Sequence, residues 1–348
     1  MTAGARIELH GDNPTRVWGL TNAERVQRIA RQNGWSIGQG DGVPITVDLD
    51  YAFDPVWLRH IAARPGSRLT LARIPVIAHG EGGETFAAED PTGILDKELR
   101  KRERPFVMSL TPANVPAIEQ ASYRGAYKGV TDLLTKYLWP SWAFQLTRLA
   151  ARIGLSPNGV TAIGTLFCVI AAVAFWYGWF WTGLATGLFF MVLDTVDGKL
   201  ARCTITSSKL GDFWDHGLDL VHPPFWWWAW AVGCGAYGRP LSDETFWAVM
   251  ATMVGGYVVQ RLIEGAFIVR FGMHIHVWRK FDSDFRLVTA RRNPNMVILF
   301  ASLVAGRPDW GIVAVAVWTI ASLLVHLVRL AQAAVDRARG REIVSWLA

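Results

Sequence analysis

The longest stretch of this chain without a charged side chain runs from Ile153 through Leu193. A helix needs about 20 mainly apolar residues to cross a bilayer, so this stretch is long enough for two crossings. Only 18% of all residues are charged, whereas typical soluble domains carry about 25%. The pattern therefore excludes a fully soluble protein and a disordered chain, and it predicts an all-α membrane domain.

Further charge-free runs extend this predicted membrane domain to about six helices. The predicted spans are approximately 158–178, 181–200, 211–235, 244–268, 294–306 and 310–330. The fifth is short enough to be re-entrant. Two basic regions, 270–292 and 329–341, fall on one side of the membrane in this arrangement. Because basic loops are retained in the cytosol, we expect both termini and the active site on that side.

We therefore expect a multi-pass integral membrane protein, located in the inner or cytoplasmic membrane if it is bacterial. The first forty residues contain no basic segment followed by an apolar one, so no cleavable signal peptide is expected. The basic pI of about 9.4 is accounted for by the cytosolic Arg and Lys residues, and no nucleic-acid partner is expected.

Residues 1–110 are predicted to form a small cytosolic α/β unit. The expected elements are strands at 7–9, 45–49 and 69–76, helices at 22–33 and 54–63, and a charged surface helix at 95–104. A linker with amphipathic helices follows at 111–156, suited to the headgroup layer; two core helices of a soluble domain are the alternative. The membrane domain is assigned to 157–335 and a cytosolic tail to 336–348.

Four aspartates interrupt the apolar pattern at the junction of the second and third predicted spans. Asp194 and Asp197 are three residues apart, and Asp215 and Asp219 are four apart, so each pair shares one helix face. The short connection 203–210 makes the two helices antiparallel neighbours, and all four carboxylates can meet near the cytosolic surface. Ionised carboxylates at membrane depth are costly, so the set predicts a bound divalent cation. Mg²⁺ or Mn²⁺ suits such oxygen ligands, and four carboxylates are enough for two ions.

Small residues and an arginine accompany the carboxylates. Gly198, Ala201 and Gly211 leave space for a ligand to approach the backbone, and Arg202 offers a planar fork suited to phosphate. Together these residues indicate phosphoryl transfer from a diphosphate ester. The alternative is that the aspartates cap helix ends or form ion pairs, which four carboxylates at these spacings disfavour. An EF-hand is excluded because the alternating acidic ligands of such a loop are missing.

The eight residues follow the pattern D-x2-D-G-x2-A-R-x8-G-x3-D-x3-D. This pattern resembles the motif of the CDP-alcohol phosphotransferase family, also called CDP-alcohol phosphatidyltransferases, at every defined position. With the segment 156–161 and the six-helix layout, the resemblance covers roughly residues 130–335. It implies a membrane transferase in phospholipid biosynthesis that displaces CMP from a CDP-alcohol with the hydroxyl of a second alcohol.

The resemblance also implies substrates. CDP-diacylglycerol is the expected donor, with a polyol or polyol phosphate as acceptor, and a soluble CDP-polyol donor is the alternative. Homodimers are frequent in that family, so a homodimer is one expected arrangement. The sequence alone does not determine the oligomeric state.

The site residues acquire roles through the same resemblance. Asp194, Asp197 and Asp215 would ligate two metal ions that hold the diphosphate, and Asp219 would be the general base, perhaps also contacting the second metal ion. The family's small residues would frame the cytidine of the donor, and the motif arginine would lie near its phosphates. In this sequence those donor-binding residues are Gly198, Ala201, Gly211 and Arg202.

Three arginines outside the motif are candidate acceptor-binding residues. Arg261 either forms a neutralising ion pair with Glu264, the favoured interpretation, or lines an acceptor pocket. Arg291 and Arg292 lie in a basic loop that contacts anionic lipid or binds an acceptor phosphate. The pair His274 and His276 is too sparse to predict a metal site.

Two other functional classes fit the sequence less well. A cation transporter could use the acidic cluster as its ion site, but transporters are typically built from inverted repeats, and no internal repeat is visible. A non-catalytic membrane scaffold is disfavoured by the intact acidic set.

The N-terminal unit faintly resembles nucleotidyltransferase-like domains fused to some members of the family, most of all at 19–25. It has no Gly-rich phosphate loop near residue 10 and is about half the usual length, so a remnant without nucleotidyl transfer is expected. Asp48, Asp50 and Asp54 are interpreted as a surface turn, with Asp54 capping a helix ahead of Pro55; metal binding is the alternative.

Overall fold

The computed structural model describes residues 5–38, 43–90, 93–97 and 99–348. It divides into two units. The first comprises Met1–Gly129, Leu146–Pro157 and Gly198–Ser207, and the second comprises Val130–Gln145, Asn158–Asp197 and Ser208–Ala348. Strands in the described residues end at Ser109 and the rest is mainly helical. A mostly helical chain with a mixed N-terminal region is thereby confirmed, whereas the boundaries at 110, 156 and 335 stay predictions.

The first unit is built on a six-stranded sheet of order β4-β1-β5-β8-β7-β9. Strand β1 pairs in parallel with β4 and β5, and β8 is antiparallel to both β5 and β7. Three smaller antiparallel pairs are β2 with β3, β6 with β12, and β10 with β11. The strands are β1 Arg6–His10, β2 Arg16–Val17, β3 Leu20–Thr21, β4 Ser36–Ile37, β5 Ile45–Asp48, β6 Tyr51–Phe53, β7 Arg68–Leu71, β8 Ile74–His79, β9 Thr85–Ala87, β10 Ile94–Asp96, β11 Lys101–Glu103 and β12 Val107–Ser109.

Two helices of the first unit begin at side-chain caps that the sequence makes visible. Helix α1, Asn22–Asn33, starts with a capping box in which Thr21 and Glu24 satisfy each other's backbone N–H groups. Helix α2, Pro55–Ala62, starts at Asp54, whose carboxylate accepts a hydrogen bond from the Val56 N–H. Both predicted helices are therefore confirmed. Their apolar faces share one core with the central strands of the sheet.

Two other expectations for this unit are wrong. The predicted strand at 69–76 is the hairpin β7–β8, whose turn residues Ala72 and Arg73 have positive φ. The predicted helix at 95–104 is the hairpin β10–β11, in which Asp96 lies opposite Lys101. In both segments the pairing of strands across a turn outweighs the local pattern of charged and apolar residues, because strand formation depends on partners rather than on intrinsic propensity.

Helices make up the rest of the described chain. They are α3 Val115–Gly125, α4 Leu133–Tyr137, α5 Trp139–Arg152, α6 Pro157–Trp176, α7 Phe180–Cys203, α8 Lys209–Ala236, α9 Asp243–Phe271, α10 Lys280–Arg286, α11 Arg292–Val304 and α12 Pro308–Ala338, with a short 3₁₀ helix at Ile275–Val277. Each of the six predicted spans coincides with one of these helices.

Three helices in the described part of the chain are long and apolar enough to cross a membrane, namely α6, α9 and α12. Helices α7 and α8, of 24 and 28 residues, are not among these three. Helix α11 has 13 residues, fewer than a full crossing needs. The chain is thus a membrane protein with three candidate spans, and the six-span count and the orientation stay predictions.

Candidate functional site

Three of the four predicted aspartates come together in the second unit. Asp194 lies on α7, and Asp215 and Asp219 lie one turn apart on α8. One carboxylate oxygen from each residue lies within 4.8 Å of the others. Hard divalent cations prefer such a set of oxygen ligands, so these three residues, called the acidic cluster below, can hold one.

The fourth aspartate has a different partner. Asp197 is buried, and its Oδ2 accepts a hydrogen bond of 2.7 Å from the hydroxyl of Thr161 on α6. It does not belong to the three-residue set. The sequence interpretation missed Thr161, although this residue belongs to the segment 156–161 that supports the family resemblance.

Arg292, the first residue of α11, binds the acidic cluster directly. Its Nη1 donates to Asp194 Oδ1 at 3.2 Å and also to Asp219, and its Nη2 donates to the second oxygen of Asp194. Three carboxylates and one guanidinium leave two negative charges uncompensated among these residues. A single divalent cation carries the charge that would neutralise them.

The position of Arg292 is set by its neighbour. Asn293 is buried and donates from Nδ2 to Asp132 Oδ1 at 2.8 Å. Asp132 also caps α4 by accepting from the N–H of Thr135. The start of α11 is therefore fixed against α4, and this contact holds the guanidinium of Arg292 over the acidic cluster.

Gly211 lies where helices α6 and α8 approach each other closely. A Cβ at this position would lie 2.7 Å from Asn158 Oδ1 and 3.1 Å from Ser208 Oγ. The glycine therefore lets the start of α8 lie against the start of α6. This is a packing reason for the small residue, in addition to the donor-binding role that the family resemblance implies.

The remaining donor-binding candidates lie on the last turns of α7. Gly198, Ala201 and Arg202 follow Asp197 on this helix. Arg202 Nε donates to the carbonyl of Ala126 at 3.1 Å. The predicted role of this arginine at the donor phosphates stays a prediction.

A second polar group centres on Glu264 of α9. Its carboxylate contacts Arg261 at 3.1 Å, which confirms the predicted ion pair, and it also contacts Arg291. His276 Nε2 lies 3.2 Å from the same carboxylate, and His326 of α12 completes the set. These five residues are called the Glu264 cluster below.

The sequence interpretation missed both histidines of this cluster. The pair His274 and His276 does not by itself predict a metal site, and the residues that lie near His276 are on α9 and α12, far away in sequence. A signal for His326 was present, because it is an ionisable residue inside the apolar run from Trp310 through Val328. Ionisable residues in such segments usually have a functional reason.

The three aspartates near the N-terminus have local structural roles. Asp48 Oδ1 accepts from the Asp50 N–H at 2.9 Å, and Asp50 Oδ1 accepts from Asn13. Asp54 caps α2, as predicted. Burial raises the pKa of Asp54 above its usual value, against the opposing effects of the Val56 hydrogen bond and the Lys101 charge. The capping role of Asp54 is as predicted, whereas its burial differs from the predicted surface position.

Comparison with known proteins places these residues in a family. The family model described as CDP-alcohol phosphatidyltransferase matches residues 155–282, which include the complete eight-residue motif. Cholinephosphotransferase 1 of Gallus gallus is 35% identical over 127 residues, covering 33% of this chain and 36% of the relative. Cholinephosphotransferase 1 of Homo sapiens is 28% identical over 203 residues, covering 54% of this chain and 46% of the relative.

A third relative is an uncharacterized CDP-alcohol phosphatidyltransferase class-I family protein of Schizosaccharomyces pombe. It is 37% identical over 107 residues, covering 27% of this chain and 28% of the relative. The matched segments thus span between 28% and 46% of these curated relatives, and the family model covers the part of the chain that carries the acidic cluster. The chain therefore contains a domain of the CDP-alcohol phosphatidyltransferase family.

Proposed function

We propose that this chain is an integral membrane transferase that moves a substituted phosphate group from a CDP-alcohol to the hydroxyl of an acceptor alcohol, with release of CMP. The observation that carries the proposal is the convergence of Asp194, Asp215 and Asp219 inside the segment that matches the family. The names of the relatives place such chemistry in the transfer of choline phosphate, so CDP-choline joins CDP-diacylglycerol among the donors to be tested.

The acidic cluster is proposed to hold the divalent cations, Mg²⁺ or Mn²⁺, that the reaction needs. Its three carboxylates fit one such ion in ligand type, in spacing and in uncompensated charge, and a second ion is proposed on the family resemblance. When bound, the cations would neutralise charge on the diphosphate of the donor. Asp197 is kept as a proposed ligand for a second ion on the family resemblance, although its hydrogen bond with Thr161 gives it another partner here.

Asp219 is proposed as the general base. Its side chain is 41% exposed, against 15% for Asp194, so it is the more accessible of the two carboxylates that Arg292 contacts. A base must reach the hydroxyl whose proton it removes, and the more exposed carboxylate meets that requirement better. The hydroxyl oxygen then attacks the phosphorus, the bond to CMP breaks, and the proton goes to the Asp219 carboxylate.

Arg292 is proposed to orient a phosphate group beside this base. Its guanidinium is held by Asp194 and Asp219, and only 19% of its side chain is exposed. A planar fork fixed in this way can donate to phosphate oxygens in a defined geometry. Gly198, Ala201, Arg202 and Gly211 are proposed to bind the CDP moiety on the basis of the motif.

The alternatives have less support. A cation transporter explains the acidic cluster but not the match to a transferase family. A soluble CDP-polyol donor uses the same chemistry, and nothing in the relatives' names points to it.

The test is CMP release by the purified full-length chain in lipid vesicles. CDP-diacylglycerol, CDP-choline and a CDP-polyol are each offered as donor with a panel of alcohols, in Mg²⁺, Mn²⁺ or EDTA. We expect metal-dependent CMP release with at least one pair. Absence of CMP release with every pair would refute the proposed function.

The role of Asp219 is tested by Asp219→Asn, with Asp212→Asn as matched control. Asp212 is exposed and lies on the same helix two turns earlier. We expect Asp219→Asn to abolish CMP release while metal-dependent donor affinity largely survives, and Asp212→Asn to retain activity. Near-normal turnover of Asp219→Asn would exclude it as the base.

A further inference from the structure

Two consecutive prolines interrupt the hydrogen-bond ladder of α8 next to the proposed base. In an α-helix the N–H of each residue donates to the carbonyl four residues earlier. Proline has no N–H, and α8 contains Pro223 and Pro224 in its interior. The carbonyl groups of Asp219 and Leu220, four residues before these prolines, therefore lack their usual helical donors. The backbone that carries the proposed base is thus less constrained by its own helix than the turns around it.

A tyrosine of α9, which packs against α8, lies at this interruption. The hydroxyl of Tyr257 donates to the carbonyl of Leu220 at 3.1 Å, and the carbonyl oxygen of Asp219 lies 3.5 Å from the same hydroxyl. A tyrosine hydroxyl has one proton, so it serves the nearer carbonyl and remains beside the other. Among the described residues, Tyr257 is the one side chain that donates to either carbonyl. Donors from neighbouring helices commonly satisfy carbonyls that a proline leaves without a partner in a membrane helix.

The ring of Tyr257 is held independently of its hydroxyl. It packs edge-on against the ring of Trp227 on α8, with 5.4 Å between the ring centroids. The guanidinium carbon of Arg261 lies 5.2 Å from the centroid of the Tyr257 ring. A phenylalanine at position 257 would keep the shape that makes these contacts and would lose only the hydrogen bond. Tyr257→Phe therefore isolates the contribution of the hydroxyl.

His222, a polar side chain on the same turn of α8, acts on a different carbonyl. Its Nδ1 lies 2.7 Å from the carbonyl oxygen of Leu218. The N–H of His222 is the regular helical donor to that carbonyl, so the imidazole adds to the ladder and does not repair the interruption. The repair at Asp219 and Leu220 thus depends on Tyr257.

We propose that Tyr257 is a positioning residue for Asp219. Its hydroxyl replaces a helical hydrogen bond that the two prolines remove, and it thereby fixes the backbone from which the Asp219 carboxylate projects. The inference rests on the proposed function, because Asp219 must be the base for its position to control the reaction. Arg292 holds the carboxylate, and Tyr257 holds the backbone behind it. A base must lie within hydrogen-bond reach of the hydroxyl that it deprotonates, so a loosened backbone at Asp219 slows proton removal without weakening donor binding.

The first test is steady-state CMP release by the full-length chain in lipid vesicles, with the donor and acceptor that give the highest rate. Tyr257→Phe is expected to lower kcat about 10-fold, while the KM for the donor is unchanged. Tyr177→Phe is the matched control, because Tyr177 is 58% exposed and lies between α6 and α7, and its kcat should equal that of the parent chain. A parent-like kcat in Tyr257→Phe, or a change confined to the donor KM, would overturn the proposal.

The second test restores the missing helical donor. Pro224→Ala returns an N–H to the position four residues after Leu220, so the helix can satisfy that carbonyl by itself. In the Pro224→Ala background we expect Tyr257→Phe to lower kcat by less than about 3-fold. An equal loss of kcat in both backgrounds would refute the proposal, because the hydroxyl would then not replace a helical bond. If Pro224→Ala does not fold, Pro223→Ala replaces it and returns an N–H to the carbonyl of Asp219.

Thermal unfolding separates a failure of this inference from a failure of the proposed function. Tyr257→Phe is expected to lower the Tm by about 2–4 °C in the parent chain, and by less in the Pro224→Ala background. This result without CMP release from any donor would contradict the proposed function and support the hydrogen bond of Tyr257. CMP release with a kcat that Tyr257→Phe does not change would support the proposed function and refute the positioning role.

Discussion

Arg292 gives the sharpest test of how the acidic cluster is stabilised. It is the one guanidinium that contacts both Asp194 and Asp219 within the described residues. In Arg292→Gln these carboxylates lose their cationic partner. A bound divalent cation can supply the missing charge, so the consequence of the substitution is expected to depend on metal.

The expected loss of stability follows from the burial of the ion pairs that Arg292 forms. Removing one partner of a buried ion pair costs about 3–5 kcal/mol. Because the Asp219 side chain is 41% exposed, water screens part of the loss, and we expect a value near the lower end, about 3 kcal/mol. At 2–4 °C for each kcal/mol, this corresponds to a fall in Tm of roughly 6–12 °C in EDTA.

The assay is thermal unfolding of the purified chain in detergent, followed by the fluorescence of its 18 tryptophans. In saturating Mn²⁺ the difference in Tm between Arg292→Gln and the parent chain should fall to a small fraction of its value in EDTA, because a ligand that binds only the folded state stabilises that state. The metal-induced rise in Tm is therefore larger in the variant than in the parent chain.

Arg279→Gln is the matched control for this experiment. Arg279 also pairs with a carboxylate, that of Asp336, but 52% of its side chain is exposed. Exposed pairs contribute about 1 kcal/mol or less, so a small and metal-independent change is expected. An equal metal-induced rise in Arg292→Gln and the parent chain would refute the view that Arg292 and metal compensate the same carboxylates.

Two further predictions concern glycines. A Cβ on Gly233 would lie 1.8 Å from the carbonyl oxygen of Phe175, whereas a Cβ on Gly235 would meet nothing within 4 Å. We therefore expect Gly233→Ala to lower the free energy of unfolding by about 3 kcal/mol. Gly235→Ala should leave the Tm equal or slightly higher. Similar Tm values for the two variants would contradict this packing. Gly211→Ala should reduce CMP release through the contact of its Cβ with Asn158, and the double variant with Asn158→Ala should recover part of it; no recovery would place the effect elsewhere.

Much of this protein was predictable from local sequence. The eight motif residues are separated by fixed short intervals, and helix periodicity alone places Asp215 and Asp219 on one face. Asp54 was predictable as the cap of α2 because it acts on a backbone group two residues away. The charge-free runs likewise predicted helices at the positions of α6–α9, α11 and α12.

The rest depended on partners that are distant in the chain. The interval between Arg292 and Asp194 does not indicate that they meet, and the same is true of His326 and Glu264. The hairpin at 94–103 also formed against its charge pattern because its strands pair with each other. Spacing along one helix determines a shared face, but only packing between helices decides which charges compensate one another. The sequence by itself thus predicted the family resemblance, the positions of the apolar helices and the candidate carboxylates. The tertiary structure decided which guanidinium contacts those carboxylates and which residues form the buried polar cluster beside them.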